Sequence, residues 1–231
     1  DPQLSPDGER VAFVRTVPDD DDSYETTVYV VPFDGEGDAR QFTAEEGADA
    51  TPRWSPSGDR LAFTSARGET ETPQLWVLPT DGGEARQVTD VAGGVADIVW
   101  SPDGTRIAFT QRTTAAEREA ELDIENDDGE YERETPDPRV IDRMIYRAGA
   151  AYLDDARSHV YTVSLADDEG TVTRHTDGDR DYLAPEFGDA TTLYYVVNRD
   201  PEPDDSLVYD IDALDLEGGA DEAETVTRTT G

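Results

Sequence analysis

This sequence predicts an all-β fold, a β-propeller built from four-stranded antiparallel blades, and two observations lead there. The nine residues Ser101–Phe109 (SPDGTRIAF) recur almost unchanged at Ser5–Phe13 (SPDGERVAF) and at Ser55–Phe63 (SPSGDRLAF). Their opening serines stand 50 residues apart (5 to 55) and then 46 apart (55 to 101), a period that suits one propeller blade of four short strands. The rest of each period repeats too, so the unit is a whole blade and not an isolated turn.

Within a unit, the serine, proline and glycine suit a tight type I turn: proline presets φ, and glycine tolerates the left-handed exit. Pro52-Arg53-Trp54 or Ile98-Val99-Trp100 leads in, and Leu61-Ala62-Phe63 or Ile107-Ala108-Phe109 leads out, which makes a hairpin of two apolar strands. A third strand ends in a second turn, Val28–Pro32 before Asp34-Gly35 and Leu75–Pro79 before Asp81-Gly82. The fourth closes on threonine, Arg40-Gln41-Phe42-Thr43 and Arg86-Gln87-Val88-Thr89, with a late copy at Thr173-Arg174-His175-Thr176 after His159–Leu165. A degenerate fourth unit follows, with Pro185-Glu186-Phe187, Leu193–Val197, Leu207–Leu216 and Thr227–Thr230. The predicted blades are thus residues 1–43, 44–89, 90–176 and 177–231. Blades bury their faces against one another, and the chain starts and stops at blade junctions. About four blades of a longer, seven- or eight-bladed propeller are therefore expected.

The third unit carries an insertion, residues 111–157. Thr113–Leu122 predicts a short helix, Asn126–Pro138 an acidic loop, and Arg139–Arg147 an apolar segment able to dock on the body. Long ordered insertions often carry function, although a solvated flap fits the residues equally well.

Composition limits the function. The chain has 231 residues with 55 acidic and 19 basic side chains, a formal charge of −36, and every basic residue is arginine. Acidic excess without lysine resembles proteins adapted to molar salt, where the Debye length falls to about 3 Å and like charges are screened. A high-salt cytosol is the expected location. Such a surface argues against nucleic acid or an anionic membrane as partner, since both require a basic footprint. There is no cysteine, which excludes disulfide and thiolate chemistry, and no apolar run long enough to span a membrane. The chain opens on Asp1, so a preceding targeting segment stays open, as does association with further copies.

The Trp-Ser-Pro-Asp-Gly openings that lead into Ile-Ala-Phe resemble the TolB-like propeller repeat. Pro138–Arg147 continuing through Gly149–Leu153, then Arg157–Val163 and Arg174–Tyr182, look like the propeller of the prolyl oligopeptidase family of serine peptidases, in its acylaminoacyl-peptidase and dipeptidyl-peptidase branch. That resemblance implies a propeller that caps a C-terminal α/β-hydrolase domain and admits short peptides to a Ser-His-Asp site. The chemistry itself is not in this chain: none of its nine serines has glycine at both −2 and +2, as a nucleophile elbow requires, and the resemblance gives His159 and His175 no catalytic role. No catalytic residue, metal or cofactor is expected. From Asp123 to Glu134 the acids approach a calcium-loop spacing, but Gly129 stands one place late. Trp54, Trp76 and Trp100 are expected to pack the core between blades. Among the insertion's arginines, Arg139 and Arg143 are the candidates to hold a peptide carboxylate, because a guanidinium forks onto it bidentately. The leading expectation is a non-catalytic propeller portion that gates and orients short peptides for a separate hydrolase domain; the alternative is a stand-alone TolB-like scaffold for protein–protein interaction.

Overall fold

The structure, a computed structural model, describes residues 2–19, 24–44, 47–67, 72–126, 147–148, 151–152, 155–166, 170–200, 206–218 and 223–228. Its first antiparallel group is β1 (Gln3–Leu4), β2 (Arg10–Pro18), β3 (Tyr24–Pro32) and β4 (Arg40–Gln41). The second is β5 (Ala48–Trp54), β6 (Arg60–Ala66), β7 (Gln74–Pro79) and β8 (Arg86–Gln87), joined to the first by one parallel bridge, Thr26 with Ala48. The third starts with β9 (Ala96–Trp100) and β10 (Arg106–Thr113). The insertion then carries α1 (Ala115–Glu119) and the short pair β11 (Arg147–Ala148) and β12 (Ala151–Tyr152), before β13 (Arg157–Ser164) and β14 (Thr171–Arg174) finish the sheet. The fourth is β15 (Tyr182–Phe187), β16 (Thr192–Val197), β17 (Asp210–Asp215) and β18 (Glu224–Thr227). The fold is all-β, a partial propeller.

The repeated turns behave as their residues dictate. Gly8, Gly58 and Gly104 have φ of 75°, 74° and 69°, a region that costs other residues strain. Each donates its N–H to the carbonyl of the opening serine, at 2.9, 2.9 and 2.8 Å. The serine side chain does more than start the turn: Oγ of Ser5, Ser55 and Ser101 accepts the N–H of Arg10, Arg60 and Arg106 at 2.9–3.0 Å. In the first and third copies the turn aspartate accepts the serine hydroxyl, Ser5 to Asp7 at 2.5 Å and Ser101 to Asp103 at 2.6 Å. The second copy has Ser57 there, and Asp59 takes over at 2.8 Å from Ser55. Serine hydroxyls hold all three carboxyls below the usual range, Ser5 for Asp7, Ser57 and then Ser55 for Asp59, and Ser101 for Asp103.

The closing threonines also have a mechanism. Oγ1 of Thr43, Thr89 and Thr176 accepts the N–H of Val28, Leu75 and Val160 at 3.0, 2.9 and 2.9 Å, extending the ladder past the last backbone pair. A feature invisible in the repeat is a bulge three residues before each inner-strand aromatic. Thr51, Asp97 and Ala184 have φ of 48°, 49° and 50°, each where the register of β5, β9 or β15 slips. The fourth blade keeps this bend although it has lost the Ser-Pro-Asp-Gly turn.

The cores lie between blades. Ala12, Val28, Val30, Trp54, Leu61, Phe63 and Leu78 join the first two sheets. Leu75, Val77, Trp100, Ile107, Phe109 and Tyr161 are among those joining the second and third. Ala108, Val160, Leu193, Tyr195 and Leu214 join the third and fourth. Trp54 and Trp100 are 8% and 7% exposed, and each indole N–H donates to the preceding blade, Trp54 to the Gln3 carbonyl and Trp100 to the Arg53 carbonyl, both at 3.0 Å. From that preceding blade an arginine reaches forward. Arg10 donates to the Gly58 carbonyl at 3.1 Å and lies 4.6 Å over the Trp54 ring; Arg60 donates to the Gly104 carbonyl at 2.7 Å and lies 4.9 Å over Trp100. The arginine of the repeat is thus an inter-blade clamp, which the sequence leaves unassigned. Arg60→Ala should lower stability by about 2 kcal/mol, combining a charged hydrogen bond and a cation–π contact. A urea midpoint that falls at unchanged m-value would show it, and an unchanged midpoint would refute the clamp.

Two boundaries differ from the sequence expectation. β10 and β13 stay paired out to Thr113 with Arg157, so residues 111–113 and 157 belong to the sheet and not to the insertion. Leu207 is 89% exposed, and β17 begins only at Asp210, where β16 offers a partner in Val197; an apolar residue without a facing strand does not extend a sheet.

Candidate functional site

Antiparallel order puts the β13–β10 end, where the insertion leaves, on the same side of the sheet as the connection from β14 to β15. Between these two connections lies a cleft of about 470 Å³, lined by Ala115, Arg118 and Glu119 of α1, by Asp155 and Arg157 at the start of β13, and by Arg174, Asp177, Gly178 and Asp179 after it.

The wall forms for local reasons. Thr114 caps α1 by accepting the Glu117 N–H at 3.2 Å, while the Glu117 carboxylate accepts the Thr114 N–H at 2.7 Å, the reciprocal capping box. Residues that follow α1 are tied to the body: the Ala92 N–H donates to the Leu122 carbonyl, the Asn126 N–H to the Asp90 carbonyl, and the Gln111 amide to the Asp123 carbonyl. Ile124 packs on the core between the second and third sheets.

Asp123 anchors the floor. It is fully buried, and its Oδ2 accepts the Tyr161 hydroxyl at 2.9 Å and Arg174 Nη1 at 2.7 Å. Burial foremost, with the Asp123 charge beside it, pushes the Tyr161 hydroxyl pKa well up. Arg118, 6% exposed, donates Nε to Asp177 at 2.8 Å and Nη1 to the Thr113 carbonyl at 2.9 Å. Partial burial works to raise the Asp177 pKa, but the Gly178 N–H and Arg118 outweigh it and hold the carboxyl below its usual range. Arg157, 5% exposed, donates Nε to Asp179 at 2.8 Å.

Of the residues singled out in the sequence, Arg139 and Arg143 lie outside the described residues. Asp123 of the near-miss calcium loop holds a tyrosine and an arginine; the rest of that loop from residue 127 also lies outside. Among the described residues no group of three or more His, Asp or Glu side chains is placed to hold a metal. His159 and His175 bond threonines, Nδ1 of His159 with Thr176 at 3.2 Å and Nε2 of His175 with Thr162 at 2.8 Å.

Arg118, Arg157 and Arg174 carry the cleft and had no assigned role in the sequence. One signal was present. Counting back from the closing threonine, Gln41 and Gln87 occupy the place of Arg174, and both amides donate to the carbonyl of their own threonine, at 2.9 and 2.7 Å. The third and fourth units put arginine at that place, Arg174 and Arg228, and the first of these meets Asp123 of the insertion.

Comparisons agree with this architecture. A structure titled as a putative TolB from Agrobacterium tumefaciens superposes with a TM-score of 0.59 at 18% identity, covering 97% of this chain and 63% of that one. The acylaminoacyl peptidase of Pyrococcus horikoshii superposes at 0.69 and 18% identity, covering 99% of this chain and 32% of that one. A Bacillus subtilis protein named as the uncharacterized peptidase YuxL is 39% identical over 83 residues, which is 36% of this chain and 12% of that protein. The chain thus spans a small part of the curated relative and under two thirds of each of these solved chains. A family profile described as the TolB beta propeller domain matches residues 1–134, more than half of the sequence, and the chain belongs to that family.

Proposed function

We infer that this chain is the non-catalytic propeller portion of a serine peptidase of the prolyl oligopeptidase family, which gates and orients short peptides for a separate hydrolase domain. The observation that carries this reading is the 39% identity with a protein named as a peptidase. The likeness of the fold to an acylaminoacyl peptidase propeller is consistent with it. The strongly acidic, lysine-free surface suits work in a salt-rich cytosol.

The full-length protein, assayed in molar salt, tests it. It should react with a fluorophosphonate probe at a serine outside residues 1–231 and hydrolyse acetyl-alanine p-nitroanilide while leaving casein intact. Neither labelling nor hydrolysis would favour the stand-alone scaffold. Casein cleaved as fast as the small substrate would keep the peptidase and remove the gate.

A further inference from the structure

We propose that the cleft beside α1 binds the free, zwitterionic form of a short peptide, its carboxylate on the outer edge of Arg174 and its ammonium on Glu119 and Asp155. This deepens the peptidase reading and rests on it for the source of the ligand.

Two of the three arginines on the cleft are already paired. Arg118 is held by Asp177, and Arg157 by Asp179. Among the described residues Arg174 is held on one side only: Nη1 donates to Asp123 and to the Arg118 carbonyl, whereas Nη2 has only Asp177 at 4.0 Å, beyond hydrogen-bond reach. Nε and Nη2, the edge that matches a carboxylate in a planar fork, therefore belong to a side chain that lines the cleft with donors unfilled. On the same cleft Glu119 and Asp155 make no hydrogen bond or ion pair among the described residues.

The balance of charge selects the ligand. Three guanidinium groups and four carboxylates line the cleft, within a chain of charge −36, so a simple anion meets net repulsion. A simple cation meets Arg174. A molecule with both charges satisfies both free sets. Arg174 is also pre-positioned, since the buried Asp123 fixes its inner edge; a guanidinium ordered before binding loses little further freedom when it binds. The volume falls within the range of small-molecule sites, roughly 300–1,000 Å³. At molar salt the exposed charges of the rim are screened, but the partly buried Arg174 edge is much less so.

Calorimetry on the full-length protein tests this with three probes: Ala-Ala, its C-terminal amide, and its N-acetyl form. Ala-Ala should bind once per chain, and blocking either end should weaken binding at least tenfold. Ala115→Trp, on the exposed wall and outside every ion pair, should abolish binding while leaving the circular dichroism unchanged. Glu119→Gln should weaken Ala-Ala but not acetyl-Ala-Ala. Equal binding of all three probes, no binding of Ala-Ala, or binding undisturbed by Ala115→Trp would overturn the site. The peptidase reading fails separately: Ala-Ala bound in the cleft of a protein without fluorophosphonate labelling or hydrolysis removes the enzyme and keeps the site, whereas turnover without Ala-Ala binding does the reverse.

Discussion

Asp123→Ala is expected to lower the unfolding free energy by about 3 kcal/mol, the lower end of what breaking a buried ion pair costs. Asp123 has no exposure, and removing its carboxylate strips the Tyr161 hydroxyl and Arg174 Nη1 of their shared acceptor. Tyr161 is itself fully buried and stacks on Phe109, with ring centroids 5.5 Å apart, so its hydroxyl cannot turn to water. Arg174 retains 24% side-chain exposure and can turn into the cleft, which keeps the loss from the upper end of the range. Asp123→Asn keeps an acceptor at the same place and should cost about half as much. Urea titration of both variants decides this. A loss below about 1 kcal/mol in the alanine variant would mean that the start of the insertion is not fastened through Asp123. A loss equal in both would mean that the charge matters more than the hydrogen bonds.

The second expectation concerns acid. Burial first, then the nearby Arg118, hold the His159 pKa down to about 3 from its ordinary 6.5, and burial first, then Arg106, hold His175 to about 4. Both rings are neutral in the folded protein near pH 7 and at pH 5, whereas the unfolded chain takes up two protons below 6.5. Their contribution to stability is therefore complete above pH 6.5 and declines as pH falls from 6.5 toward 4 and 3. At pH 5 the loss is about 2 kcal/mol for the fully buried His159, and less for His175, which is partly exposed and so partly screened by solvent. His159→Gln isolates the larger share, and the fold supplies the precedent. In the second blade Gln74 occupies the matching place and accepts the Thr89 hydroxyl at 3.0 Å, as His159 pairs with Thr176 in the third. Unfolding measured at pH 7.5 and 5.0 in constant high salt should show the variant losing about 2 kcal/mol less than the native protein. Equal losses would place the acid sensitivity elsewhere.

Much of the fold was legible from spacing. The serines at 5, 55 and 101, the closing threonines at 43, 89 and 176, and the tryptophans at 54 and 100 are tied to turns, ladder ends and inter-blade cores because each does a local job that recurs wherever the unit recurs. The eroded fourth blade was harder: Phe187 stands for the tryptophan, Gly188-Asp189 replaces the turn, and β17 starts three residues after Leu207 because pairing with β16, not local hydropathy, sets its start. The cleft was not legible. Arg174 is separated from Arg118 and Asp123 by the rest of the insertion and by β13, and in a sequence nearly a quarter acidic an aspartate at 123 is unremarkable.

What the sequence determined by itself was the repeat and its phase, since type I turns, alternating apolar strands and capping threonines depend on neighbours a few residues away. Only the tertiary structure decided which charges are used up and which are open. The reach of Arg60 to the Gly104 carbonyl, the closing of Asp123 on Arg174, and the unfilled edge that Arg174 turns to the cleft depend on distances of a few ångströms between residues 44 to 51 apart in sequence. Hydrogen bonds and ion pairs act over that short range, so their pairing follows from the packed blades and not from the order of residues along the chain.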